Sequence, residues 1–464
     1  MRNQLCYYKL LALCLLAIVG FTASCKKFLD KKSSNAITTP TGIADLQALL
    51  DDATAIMNQG GTPAFSEASA NDYILMPGMY ERYPPWEQHA YKWQLYNYVY
   101  PNDWSYSYAP VYNANYCLEM IEKISPGLHD KTAWDNVKGS ALFFRSYYFL
   151  GLLWTFAKTF DEATAASDPG IVLRLSADYN KPSYRNSVKD CYQRIIKDAK
   201  EAVEYLPGLA SHPFRPSKAA AYGLLARTYL SIRNYDSAYK YADACLVIKN
   251  DLIDLNGDED LLGLNASFPF KQFNKETIFY TEMCATGTYG LMIASRSYID
   301  TLLYKSYDTN DLRKQAYFRS SNGYNVYKGS YSQGGRLFTG LATDELYLIR
   351  AEAAARKTEP DLPSALQDLN TLLSHRYSKG SFMPVTTNKP DMLIKLIHDE
   401  RRKELLYRGV RWSDIKRCNK EGANITLSRM VNGETFQLLP GDPYYALPLP
   451  FDIVSITGIL QNPF

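Results

Sequence analysis

KAAAYGLLARTYLSIRNYDSAYKYADACLVI, residues 218–248, is the stretch from which the fold can be read. Tyr222, Leu225, Ala226 and Tyr229 recur at helical spacing, and Ala238, Ala242, Cys245 and Leu246 do the same further on. Small residues at Ala226, Ala238 and Ala242 let two helices approach closely. The segment is therefore expected to be a helical hairpin, Lys218 to Ile232 followed by Tyr235 to Ile248.

With Tyr222 as the first signature position, these residues fall where a tetratricopeptide repeat puts its packing residues. A second pair, Asp344 to Arg356 and Pro363 to Tyr377, carries Ala351, Ala354, Ala365, Leu369 and Leu372 with a longer loop between its helices. Further helices are expected at Ile43 to Asn58, from Trp104 to the stop at Ser125-Pro126-Gly127, at Asp135 to Phe156 and at Val188 to Leu206. Asn102 and Asp103 should cap the second of these. Two segments break the pattern, 73–103 and 250–340, both rich in aromatic residues and read as long loops; the tail from Phe436 to Phe464 looks like short strands and turns. The expectation is a mainly α protein, a tetratricopeptide-like helical-repeat scaffold with long irregular loops and little β, its repeats at about 104–124, 135–206, 217–248 and 343–408.

The N-terminus reads as a lipoprotein signal. Arg2 and Lys9 precede an apolar run from Leu10 to Val19, and Thr22-Ala23-Ser24 lead to Cys25. A run of that length is too short to span a bilayer. Residues 1–24 are expected to be removed and 25–464 to form one domain, with Cys25 acylated and holding the protein to membrane lipid. The signal takes two cations with it, so formal charge drops from +3 to +1, and near-neutrality argues against a nucleic-acid partner. The remaining cysteines, Cys117, Cys191, Cys245, Cys284 and Cys418, show neither a disulfide framework nor a CxxC pair and read as small buried apolar residues. Tyrosine is the compositional anomaly: 38 Tyr stand against 19 Phe and 6 Trp, which points to half-wet recognition surfaces.

Little in the sequence suggests catalysis. There are five His, no HExxH, no GxSxG and no dinucleotide fingerprint, and Gly329 to Arg336 lacks the Lys-Ser/Thr of a phosphate loop. Asp254, Asn256, Asp258 and Asp260 imitate calcium-loop ligands, but Gly263 stands where the closing bidentate carboxylate should be, so a solvated loop is expected. No cofactor or metal is called for. The Arg411-Trp412-Asp414 block reads as a structural tie between helices.

Six segments, taken in order, resemble the SusD/RagB surface lipoproteins of Bacteroidetes-type bacteria. They are Cys25-Lys26-Lys27-Phe28-Leu29-Asp30; Trp104, Tyr112 and Asn115; Glu276-Thr277-Ile278-Phe279; Leu346 through Ala353; Arg401 through Leu405 with Gly409 through Asp414; and Leu447-Pro448-Leu449-Pro450 with Gln461-Asn462-Pro463. The resemblance implies a non-catalytic lipoprotein on the outer face of the outer membrane. It would capture nutrient oligomers, usually oligosaccharides and in some members peptides, for a SusC-like TonB-dependent transporter. A surface glycoside hydrolase and a pure assembly scaffold are the alternatives outside that class.

Sugar capture needs flat aromatic faces and planar polar groups. Trp86, Trp93 and Trp104 with Asn102 and Asp103 supply both in one segment, although Trp104 fits the apolar helix face equally well. Tyr289, Tyr298, Tyr324, Tyr327 and Tyr331 are candidates in the second aromatic segment.

Overall fold

The structure, a computed structural model, describes residue 40 and residues 42–463. The signal and Cys25 lie outside the described residues, among which no helix is long and apolar enough to cross a membrane.

The chain enters through α1 (Ile43–Leu50), a π-turn (Ala53–Met57), β1 (Gln59–Thr62), α2 (Phe65–Ser69), β2 (Tyr73–Leu75) and α3 (Pro85–Tyr91). The expected single helix to Asn58 is broken because the Asp52 side chain accepts from the Ala55 N–H and starts a new turn. The scaffold follows: α4 (Asp103–Ile121), α5 (Lys131–Phe156), α6 (Val188–Tyr205), α7 (Lys218–Ser231) and α8 (Tyr235–Ile248), each packed on the one before it. Asn102 caps α4 as expected, accepting from the Ser105 N–H at 3.0 Å while Ser105 Oγ accepts from the Asn102 N–H.

An excursion then adds β3 (Thr277–Phe279), β4 (Glu282–Met283), β5 (Ser297–Ile299), α9 (Thr301–Ser306), α10 (Arg313–Tyr317), β6 (Phe318–Ser321), β7 (Tyr324–Tyr327) and β8 (Leu341–Ala342). The stack resumes with α11 (Thr343–Arg356) lying on α8, then α12 (Leu362–Ser374), α13 (Pro390–Glu404) and α14 (Arg411–Lys420). The chain closes with the hairpin β9 (Leu427–Val431) and β10 (Glu434–Leu438) and with α15 (Phe451–Thr457). That last helix sits in the tail expected to hold only strands and turns. The fold is mainly α, and among the described residues its strands form two-stranded pairs with a few isolated bridges beside them.

Small residues do what their spacing implied: Ala226, Ala238 and Ala242 are fully buried between α7 and α8. Gly340 is required where β8 passes β3, since a Cβ there would meet the Phe279 carbonyl oxygen at 1.9 Å.

Buried and half-buried arginines lock successive layers. Arg145 on α5 makes a bidentate pair with Asp198 on α6 at 2.8 and 2.9 Å and donates to Asn115 on α4 at 3.0 Å. Arg227 on α7 reaches Glu345 on α11 and the Gly340 carbonyl, and Arg350 on α11 bridges Asp368 on α12 and Asp243 on α8. Arg411-Trp412-Asp414 is structural: Trp412 is fully buried, Asp414 accepts from Arg401 and Arg417 at 2.8 and 2.9 Å, and Arg411 reaches Asn71.

Among the described residues the tyrosines divide about equally between the core and half-buried or exposed positions. Tyr73, Tyr98, Tyr148, Tyr307 and Tyr331 are core residues, and Tyr73, Tyr98 and Tyr307 donate their hydroxyls to the carbonyls of Ala68, Pro448 and Lys403. A phenol whose hydroxyl finds a carbonyl can be buried with little penalty. The five cysteines of the described residues are buried and unbridged.

Glu67, on α2, is buried with neither carboxyl oxygen bonded. Burial first, and then Asp72, push its pKa up from the usual 4.5 to about 8. The folded state thus holds this proton more tightly than the unfolded chain, and the site costs stability progressively as pH rises from about 4.5 toward 8. Glu67→Gln should stabilise the protein by about 1–2 kcal/mol at pH 7.5 and leave it unchanged near pH 4.5. Urea titrations at the two pH values check this.

Candidate functional site

The two aromatic segments, some two hundred residues apart, form one surface. β2 pairs antiparallel with β5, so that Ile74 faces Tyr298, and the Met76 N–H donates to the Arg296 carbonyl at 2.9 Å. Tyr83 donates its hydroxyl to the Gly290 carbonyl at 2.7 Å, and the Trp86 ring lies so close to Gly287 that a Cβ there would stand 3.0 Å from it. β5 also packs on β7.

Two clefts lie at this junction, one at β5 itself and one at the segment that leads into it. One, of about 390 Å³, is lined by Tyr80, Glu81, Tyr298 and Asn432 among others. Asn432 is placed there by a two-residue hairpin: Asn432 and Gly433 both have positive φ, the backbone a type I′ turn between β9 and β10 demands. The second cleft, of about 690 Å³, is lined by Phe268, Tyr289, Arg319, Tyr327 and Lys328 with Ser295 and Ser330. Asn322-Gly323 makes the equivalent turn between β6 and β7 and so carries Arg319 and Tyr327 to it. On β5 and β7 the half-buried rings of Tyr298 and Tyr324 stack at 4.6 Å between centroids and 29° between planes.

Of the expected site residues, Tyr298, Tyr324 and Tyr327 are half-buried at this junction. Tyr289 forms part of a cleft wall but is nearly buried, its hydroxyl held by the Gly335 carbonyl. Tyr331 is removed to the core, where it donates to Glu276 at 2.5 Å. Trp86 lies on the helix α3, which Pro85 starts, not in a loop. There it is half-buried and stacks on Tyr98. Trp93 is a core residue, its Nε1 donating to the Ser69 carbonyl at 2.9 Å and the Arg429 guanidinium lying 4.6 Å from its ring.

Asn102 is buried as a helix cap. Asp103 accepts from the N–H groups of Ala64 and Phe65 at 2.7 and 2.6 Å, holding the start of α2; burial nevertheless pushes its pKa up to about 7. Trp104 packs in the core against Tyr108 and Phe156 and also lines a third cleft, of about 220 Å³, with Tyr112 and Tyr179. The residues missed by sequence reasoning are Tyr80, Phe268, Arg319, Lys328 and Asn432. The Asn-Gly pairs at 322–323 and 432–433 were the signal that could have found the last three, because such pairs mark hairpins.

The calcium-like loop spends its carboxylates internally. Asp258 accepts from the Lys275 ammonium at 2.9 Å and from the Asp260 N–H, Asp254 accepts from the Asn256 N–H, and Asp260 from the Lys275 N–H. An ammonium stands where a cation would be needed. The one carboxylate cluster with metal-like spacing among the described residues, Glu276, Asp344 and Glu404, is bound instead by Arg376, Arg408 and Arg313.

Residues 27–230 match a family described as starch-binding and associating with the outer membrane, and residues 343–435 match the SusD family. The chain is similar in structure to a SusD superfamily protein from Bacteroides thetaiotaomicron VPI-5482, with TM-score 0.73 and 21% identity over 91% of this chain and 100% of that one. It is also similar to a SusD-like carbohydrate binding protein from Bacteroides vulgatus ATCC 8482 (TM-score 0.66, 19% identity, 90% and 96% covered) and to a laminarin binding SusD-like protein (TM-score 0.64, 17% identity, 92% and 100% covered). No curated protein matches. The two family matches together span more than half of the chain, and the fold agrees over nine-tenths of it. The chain belongs to the SusD/RagB family.

Proposed function

We propose that the protein is a non-catalytic capture protein for oligosaccharides, anchored to the outer membrane through acylated Cys25 and delivering its ligand to a SusC-like TonB-dependent transporter. The observation that carries this reading is the junction at β5. There the Tyr298 and Tyr80 rings border a cleft beside Asn432 and Glu81, the pairing of stacking faces with planar hydrogen-bonding groups that sugar rings require. Sugar-binding relatives with the same fold support the ligand class.

Affinity electrophoresis against a panel of polysaccharides tests it. One or more glycans should retard the wild type, and Tyr298→Ala should weaken that binding about tenfold, the worth of one stacked ring. Retardation by none of the panel, or an unchanged Tyr298→Ala, would count against the reading. For the anchor, Cys25→Ala should move the protein from the membrane fraction to the soluble one. Persistence in the membrane would refute lipid attachment at this residue.

A further inference from the structure

The larger cleft has an unbalanced charge. Its lining includes two cations, Arg319 and Lys328, and no carboxylate. Arg319 is exposed, and no acid lies within ion-pairing distance of either group among the described residues. Lys328 is only 7% exposed. Its ammonium donates to the carbonyls of Leu264 and Ala266 at 2.6 and 3.0 Å, which leaves one of its three protons without a protein acceptor. Burial and the neighbouring Arg319 pull its pKa below the usual lysine value.

Keeping a lysine nine-tenths buried beside an arginine without a counter-ion is unfavourable for the empty protein, and an anion entering the cleft would relieve it. Phe268 and Tyr327 in the same lining supply apolar faces for the sugar ring that carries the charge. We propose that the cleft selects acidic glycans, oligosaccharides bearing carboxylate or sulfate groups, with Arg319 and Lys328 receiving the anionic substituent. This rests on the oligosaccharide-capture reading and narrows its substrate class.

Calorimetric titration with matched pairs tests the proposal. The probes are oligogalacturonate against its carboxyl-reduced, neutral counterpart, and sulfated carrageenan oligomers against their desulfated form. In at least one pair the wild type should prefer the charged member by about tenfold or more, and that preference should shrink as salt is raised. The pair that shows it tells carboxylate from sulfate. Arg319→Gln, a change at an exposed residue, should cut the preference to about threefold or less. Lys328→Met, in variants whose circular dichroism stays native, should do the same. Equal affinity within both pairs, or a preference untouched by Arg319→Gln, overturns the acidic-glycan proposal and leaves sugar capture standing. Binding of no glycan, charged or neutral, in these titrations or in the polysaccharide panel, overturns both.

Discussion

Arg376→Met should destabilise the protein by about 3–5 kcal/mol, the cost of stranding buried carboxylates once their partner is gone. Arg376 is 1% exposed and donates to Glu404 at 2.8 Å, Glu276 at 2.7 Å and the Ile253 carbonyl at 2.7 Å, so one side chain joins α13, the strand entering β3 and the chain leaving α8. Arg313 holds the other oxygen of Glu404 at 2.9 Å and pairs with Asp311 and Glu400. Burial alone would raise the Glu404 pKa, but the guanidiniums of Arg376 and Arg313 outweigh it and hold the carboxyl below its usual range.

A depressed carboxylate contributes stability above its unfolded pKa and loses it as pH falls. The penalty of Arg376→Met should accordingly be largest at neutral pH and shrink toward pH 4, where Glu404 can take up a proton in the variant. Urea unfolding followed by circular dichroism at both pH values measures it. A loss below about 1 kcal/mol at pH 7 would mean that this network is not what fastens the excursion to the scaffold.

Trp93→Ala should cost a comparable amount, about 3–5 kcal/mol, as large-to-small changes of buried aromatics do. The ring fills the space under Arg429, whose guanidinium lies 4.1 Å from the Tyr91 ring and 5.1 Å from Tyr73 and donates to the carbonyls of Ala68 and Ala70 at 2.7 and 2.6 Å. Without the indole, Arg429 loses one wall of its aromatic enclosure and Ser69 loses a hydrogen-bond donor. Denaturant titration should show the loss, while the glycan affinity of the folded fraction stays close to wild type. Native stability with impaired binding would return Trp93 to the ligand site that its sequence context suggested.

The scaffold was legible because its information is local. Ala226, Ala238 and Ala242, or Ala351 and Ala354, announce close helix packing within a few turns of chain, and the Asn102 cap is a three-residue signal. The junction was not, because it depends on β2 meeting β5 across two hundred residues, and no local pattern in Tyr73–Leu75 specifies that partner. Aromatic side chains misled for a physical reason: Trp93 and Tyr331 carry polar handles that can be satisfied by a carbonyl or a carboxylate as well as by water or sugar, so an aromatic-rich irregular segment reads alike whether its rings are buried or exposed. The Arg376 network was invisible for a similar reason, since Glu276, Glu404 and Arg376 come from three separate regions of sequence.

Amide hydrogen exchange of the full chain, with and without the polysaccharide that binds it best, tests whether the joint of the two aromatic segments takes up a glycan. Protection is expected in residues 74–81, 287–298 and 319–330, which border the two clefts of the junction. Protection confined to residues 172–183 and the start of α4, around the third cleft beside Tyr112 and Tyr179, would contradict it.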